Sequence, residues 1–116
     1  MAYQGQHQTF TMPAGTDLSA HTFKAVDVAT GDLAANAKNA VGILQNKPMQ
    51  NEHATVGFQG LMKYVAGGVI AKGAALSVSS GGVFTSATSS SIVVGVSLEA
   101  AVSGAIASGI FNFANK

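Results

Sequence analysis

Beyond residue 20 the chain alternates apolar and polar positions with a period close to two. Ala54, Val56, Phe58, Met62 and Tyr64 share one parity, while Thr55, Gln59 and Lys63 hold the other. Ala74, Leu76 and Val78 alternate against Ala75, Ser77 and Ser79, and Ile92, Val94, Val96 and Leu98 against Val93, Gly95, Ser97 and Glu99. Successive side chains of a strand point to opposite faces, so these runs predict half-buried strands. Gly60 interrupts the longest run and predicts a bend or bulge. A parity change between Ala25 and Val26 predicts another. The pairs Gly67-Gly68 and Gly81-Gly82 separate strands and are predicted to supply the positive φ of hairpin turns. Short strands at close spacing predict an all-β fold, a small antiparallel barrel or sandwich. Only Asp32 to Ala40 and Leu98 to Ser103, where alanine is frequent, allow a helical turn.

Residues 1–20 read differently. They are polar, carry Gly5, Pro13 and Gly15, and hold one alternating patch, Thr9-Phe10-Thr11-Met12, that Pro13 stops. We expect an extended N-terminal arm over residues 1–20 and a single β domain over 21–116. The arm is expected to be mobile in the free protein and ordered in an assembly, with Thr9, Phe10, Thr11 and Met12 as the neighbour contact. The alternative is a strand within its own domain.

An internal repeat is also visible. Val28-Ala-Thr-Gly31-Asp-Leu33 resembles Val78-Ser-Ser-Gly81-Gly-Val83, Val41-Gly42-Ile43 resembles Val94-Gly95-Val96, and Val56-Gly-Phe58 stands opposite Gly109-Ile-Phe111.

Composition narrows the function. In 116 residues, 47% are hydrophobic and only 9% charged, against about 25% charged in an average soluble domain. A core can form, and copies of the chain repel each other weakly, which favours an assembly subunit. All six basic residues are lysines, scattered along the chain at Lys24, Lys38, Lys47, Lys63, Lys72 and Lys116. Without arginine or a basic stripe, nucleic-acid binding is not expected. Cysteine is absent, which removes thiol chemistry and disulfides. No run of ~18 apolar residues predicts a membrane span, and no leader is apparent at the start, so synthesis in a cytoplasm is expected.

Candidate chemistry is sparse. His7, His21 and His53 match no ligand spacing, so no metal or other cofactor is expected. Asp17, Asp27, Asp32, Glu52 and Glu99 form no recognisable catalytic pair. Gly68-Val-Ile-Ala-Lys72-Gly73 superficially resembles a phosphate loop but lacks the Gly-Lys-Ser/Thr order. No Gly-x-Ser-x-Gly elbow is present. No catalytic residue is assigned and an enzyme is not expected.

From about Ala40 to Phe113 the order of segments resembles the head-decoration, or capsid-cement, proteins of tailed bacteriophages. The matching pieces are Gly42-Ile43-Leu44, Ala54-Thr55-Val56 to Gly60, Val69 to Gly81, and Val94-Gly95-Val96-Ser97-Leu98-Glu99-Ala100-Ala101 followed by Gly104 and Ile106. The loop Asn46 to His53 is more polar than the family pattern. The resemblance implies a β-tulip-like barrel that sits as a homotrimer on the outer surface of an icosahedral head and bridges subunits of the major capsid protein. It implies no nucleic acid, membrane or small-molecule partner. The competing reading is a carbohydrate-binding or adhesive β-module of a virion fibre. The absence of tryptophan and the isolation of Tyr3 and Tyr64 weigh against that.

Overall fold

The computed structural model describes residues 7–27, 29–88 and 91–113, with the side chain of His7 excepted. Residues 1–6 of the expected arm, Val28 of the repeat and Lys116 lie outside the described residues. Among the described residues the fold is all β, with nine strands and one 3-10 turn at Ser80–Gly82. The strands are β1 (His7–Pro13), β2 (Ala25–Asp27), β3 (Asp32–Leu33), β4 (Ala40–Leu44), β5 (His53–Val65), β6 (Ala75–Val78), β7 (Phe84–Ser86), β8 (Gly95–Ser97) and β9 (Ile106–Asn112). They form one antiparallel, half-barrel sheet in the order β3-β2-β4-β5-β9-β8-β6-β7, with β1 paired to β5. Neither Ala-rich stretch becomes a helix: Asp32 to Ala40 holds β3 and turns, and Leu98 to Ser103 is bends and a bridge.

The long alternating run becomes β5, and its phase holds: Ala54, Val56, Met62 and Tyr64 are buried, while Gln59 is exposed. Gly60, at φ 120°, marks the bend. Val56 pairs with both Phe10 and Leu44, and Gln59 with both Gln8 and Asn112. A strand has two edges, so β1 occupies one edge of β5, and β4 and then β9 share the other. The phase expected for the last run does not hold. Val94 and Ser97 point inward while Val96 is 42% exposed. The inward space opposite Gly95 is filled by the Phe111 ring, so the chain turns Val96 out.

Residues 7–13 are a strand of their own domain and not a separate arm. β1 runs antiparallel to β5 from His7↔Gly60 to Pro13↔His53. Met12, Ala14 and Leu18 behind it are buried at 7%, 1% and 0% exposure. The physical cause is the alternation itself: Met12 supplies a core side chain, and the edge of β5 supplies the backbone partners that Thr9–Met12 needs.

The repeat is present in three dimensions. The strands β1, β2, β3, β4 and the first half of β5 recur as the second half of β5, β6, β7, β8 and β9. The pairs Ile43↔Gly57 and Leu44↔Val56 recur as Val96↔Ile110 and Ser97↔Gly109. Loop hydrogen bonds recur too. Leu18 N donates to Pro48 O at 3.0 Å and Ile70 N to Ala101 O at 2.8 Å. Asn51 N donates to Ala14 O at 2.9 Å, and Gly104 N to Ala66 O at 2.7 Å. Two left-handed positions correspond as well, Phe23 and Asn51 (φ 72° and 71°) to Gly73 and Gly104 (85° and 84°). One piece of the sequence alignment shifts. Gly15 N donates to Gly31 O as Gly67 N does to Phe84 O, so Gly31 corresponds to Phe84 and not to Gly81. The 3-10 turn lengthens the second hairpin and displaces the register.

Each half has an interior. In the first, Met12, Leu18, Val26, Leu44, Ala54 and Val56 pack together. The second is larger and aromatic: Tyr64 lies 5.5 Å from Phe84, Phe84 5.3 Å from Phe111, and Phe111 stacks on Phe113 at 5.9 Å. The outward face of the first half, Ala25, Ala34, Ala40 and Ile43, all at 0% exposure, closes this second interior.

Two expectations follow for stability. A Cβ on Gly95 would stand 2.5 Å from Phe111 Cδ1 and 2.6 Å from Ile110 O, whereas one on Gly68 meets nothing within 4 Å. Gly95→Ala should therefore cost about 1–3 kcal/mol, and Gly68→Ala should be neutral or stabilise by up to about 1 kcal/mol, as read by denaturant unfolding. Deleting residues 1–14 strips β5 of one neighbour and opens the first core, so it should lower the melting temperature or prevent folding; an unchanged melt would show β1 to be dispensable.

Candidate interaction surface

The two halves differ in surface chemistry. Seven charged side chains lie in the first half, at Asp17, Lys24, Asp27, Asp32, Lys38, Lys47 and Glu52, and three in the described part of the second, at Lys63, Lys72 and Glu99. Large exposed apolar side chains show the opposite bias. Among the described residues Val69 (82%), Ile92, Val93, Val96, Val102 (62%), Ile106 and Ile110 belong to the second half, and Met49 alone to the first. Isolated exposed valines are ordinary, but clusters mark contact surfaces.

One cluster is a loop tip. Val69, Ala71, Ala100, Val102 and Ala105 surround a depression where the β5–β6 and β8–β9 loops meet. The two loops are clamped by Ile70 N to Ala101 O at 2.8 Å and Ala101 N to Ile70 O at 2.9 Å. The corresponding first-half tip carries Asp17, Lys47 and Glu52 where this one carries Val69, Ala100 and Ala105. That correspondence is fixed by matching bonds, Ala14 N to Glu52 O at 2.9 Å and Ala66 N to Ala105 O at 2.8 Å. The segment singled out earlier as Gly68 to Gly73 is part of this tip, with Ile70 buried and Lys72 exposed.

A buried hydrogen-bond chain fixes the tip from beneath. Ser97 Oγ donates to Glu99 O at 2.6 Å, which uses its one proton, so Tyr64 OH donates to Ser97 Oγ at 2.7 Å. Glu99 Oε1 accepts from Ser108 N at 3.0 Å. Tyr64 and Ser97 are 0% and 1% exposed, which makes these bonds costly to break. Burial raises the Tyr64 phenol above its ordinary value, against the Ser97 hydrogen bond and with a smaller push from Glu99.

The second cluster lies on the sheet face. The row Ala75, Val96, Ile110 and Leu61 runs across β6, β8, β9 and β5, and Val93, Val96 and Ile110 are 47%, 42% and 54% exposed. On the first half a separate apolar groove is walled by Phe10, Val41, Phe58 and Phe113.

Of the expected contact residues, Thr9 and Thr11 are exposed on β1, whose second edge has no partner strand among the described residues. Phe10 is half-buried with its ring 5.9 Å from Phe58. Met12 is turned into the core. His21 Nδ1 lies 3.0 Å from Lys24 Nζ and His53 is exposed, while the side chain of His7 lies outside the described residues. Among the described residues no three His, Asp or Glu side chains converge. Sequence reading missed Val69, Val96, Val102 and Ile110 as surface residues. At Val69 the available signal was the loss of the charge that Asp17 carries at the equivalent repeat position; Ile43, Met49 and Gly57, the equivalents of Val96, Val102 and Ile110, gave none.

Comparison with known proteins gives one family and one fold. The family model for phage cement protein matches residues 2–110. A solved structure, the head fiber gp8.5 N base in bacteriophage phi29, aligns with a TM-score of 0.74 at 16% identity, covering 93% of this chain and 96% of that one. At that identity it shows a shared fold. No curated protein matches.

The Tyr64 environment gives a pH prediction. A phenol whose pKa is raised on folding contributes stability that is complete below the unfolded value, about 10, and lost as pH rises through the folded value. In a Tyr3→Phe background, absorbance titration should show the remaining phenol ionising above pH ~10, with unfolding accompanying it. An ordinary, reversible titration without unfolding would contradict the buried chain.

Proposed function

Because the chain belongs to the phage cement protein family, structural proteins of the virion capsid, we propose that it binds the outer surface of the head as a homotrimer and bridges neighbouring subunits of the major capsid protein. The observation that carries this reading is the concentration of exposed apolar side chains in one half, with most of the charges in the other. Such a division suits a protein that is buried on one side and wetted on the other. A ligand that binds the assembled shell and not its separated parts stabilises the shell by mass action. Each contact can therefore be modest, because the effect is repeated over every site. No catalytic role is assigned.

The loop tip around Val69 and Val102 is the assigned contact to the capsid. It is apolar apart from Lys72 and its two loops are clamped to each other, so docking costs little ordering entropy. The open edge of β1, with Thr9 and Thr11 exposed, supplies a second contact by adding to a strand of a neighbour. An adhesive, glycan-binding role finds little support. Such sites use exposed aromatic platforms, and among the described residues Tyr64, Phe84, Phe111 and Phe113 are all 3% exposed or less while Phe10, Phe23 and Phe58 are half-buried.

Val69→Asp/Val102→Asp should leave folding and self-association intact, since both side chains are exposed, and weaken binding to expanded heads by at least about tenfold. Heads without the protein should lose DNA at lower temperature, and adding wild type back should restore resistance while the double variant should not. Unchanged binding by the variant would remove the tip as the contact. Failure of the wild type to bind heads at all would remove the cement function.

A further inference from the structure

The internal repeat shows what an uncovered face of this module needs. In the first half, the outward positions Ala25, Ala34, Ala40 and Ile43 are all fully buried, because the second half of the same chain sits on them. Their counterparts in the second half are Ala75, Ala87, Val93 and Val96. The correspondence follows from matched registers: Ala25↔Ile43 recurs as Ala75↔Val96. It follows equally from matched bonds, Ala34 N to Ala25 O at 3.0 Å and Ala87 N to Ala75 O at 2.8 Å. Yet Ala75 and Ala87 are only half-buried, and Val93 and Val96 are 47% and 42% exposed. Ile110, at the position of Gly57, adds a further apolar side chain at 54% exposure. The same face is thus covered once within the chain and left open once.

The reciprocal surface is open as well. Met62, Val94 and Phe111 are 0%, 2% and 1% exposed in the interior that receives the first-half face. Their first-half counterparts are Phe10, Val41 and Phe58, which are half-buried and wall an open groove. Here the correspondence of Phe10 with Met62 rests on Phe10↔Val56 and Met62↔Gly109. The chain therefore carries one satisfied contact, first-half face on second-half interior, and the two unsatisfied sides of its equivalent.

We propose that the second-half face centred on Val96 and Ile110 is the self-association surface, and that it seats on the Phe10–Val41–Phe58 groove of a second copy. The occupant is another copy of this chain because the only surface shown to fit this kind of face is one the chain itself makes. The contact joins different patches of the two copies, so it propagates head to tail and closes into a ring if the rotation permits. With three copies, six half-domains would alternate around that ring, the intrachain contact and the interchain contact succeeding each other. The inference deepens the homotrimer reading above and rests on it. It also separates the two apolar clusters: the sheet face holds copies together, and the loop tip remains free for the capsid.

The test uses the full chain. Val96→Asp/Ile110→Asp places charges on exposed positions, so circular dichroism and melting should match wild type. Self-association measured by sedimentation should weaken by about 100-fold or more. A benzophenone amino acid placed at Ile110 should crosslink to residues around Phe10, Val41 and Phe58 of another copy, as read by mass spectrometry. Crosslinks from Ile110 to the Ile110 face of a second copy would overturn the head-to-tail arrangement. An oligomeric wild type whose double variant associates unchanged would overturn this surface and leave the homotrimer standing. A wild type that is monomeric both in solution and on heads would overturn the homotrimer and this inference with it.

Discussion

The rest of the molecule depends on the burial of one small-residue sheet face beneath a cluster of rings. Ala25, Ala34, Ala40 and Ile43 lie against the space bounded by Phe84, Phe111 and Phe113. Two constraints meet there. The rings are the largest buried volumes in the protein, so they supply much of its apolar burial, at roughly 25 cal/mol per Å². The face that meets them is mostly alanine, because a flat, close approach is needed for the rings to fill the gap. Without that contact the second half would be an open half-barrel with an exposed aromatic interior, and the first half a strand layer with a wet apolar back. Neither is a plausible independent domain at this size, which is why a chain built from two similar halves folds as one unit.

The glycines of β4 and β8 show how closely each lies against its neighbouring strand. A Cβ on Gly42 would sit 2.5 Å from Gly57 O, and one on Gly95 would sit 2.6 Å from Ile110 O. Gly57 and Ile110 are equivalent positions, so the same backbone approach is made twice. In the first half the neighbouring side chain is Val56, and in the second it is the Phe111 ring. The repeat thus conserves backbone geometry while the side chains diverge, small and aliphatic in one interior and aromatic in the other. The left-handed positions tell the same story. Glycine takes that conformation without cost at Gly73 and Gly104, while Phe23 must be held there by its hydrogen bond to Leu44 O at 2.8 Å and by Val65 N donating to its own carbonyl at 3.1 Å.

Most of the architecture was legible because strand alternation and Gly turns are local signals. The run 54–64 specified β5, including its phase and its bend, and the Val-Gly pieces at 41–43 and 94–96 marked equivalent strands. What escaped was set by distant contacts. Thr9–Met12 has the same local pattern whether it pairs with its own domain or with a neighbour, and only the free edge of β5 decides. Val94 and Val96 have the same parity, but the Phe111 ring beneath Gly95 forces one in and the other out. Gly31 and Gly81 look equivalent in sequence, yet the inserted 3-10 turn moves Gly31 onto Phe84. The surface was the least legible part. A valine at position 69 or 102 reads as core until the fold shows it at a loop tip.

The asymmetry between the halves answers opposing demands. Each half presents a face of one kind and an interior of another, and a module with both pairs open would associate head to tail without limit unless a ring closed. In this chain one such contact is made internally, so one face and one groove remain. The charged tip of the first half and the apolar tip of the second divide the remaining surface between solvent and a partner. Asp17, Lys47 and Glu52 keep one tip hydrated, and Val69, Ala100 and Ala105 at the equivalent positions leave the other able to lose its water on contact. A structural protein of the capsid must bind strongly enough in aggregate to reinforce a shell, yet stay soluble before the shell exists. Concentrating most of the exposed apolar side chains in one half of a two-repeat fold serves both demands.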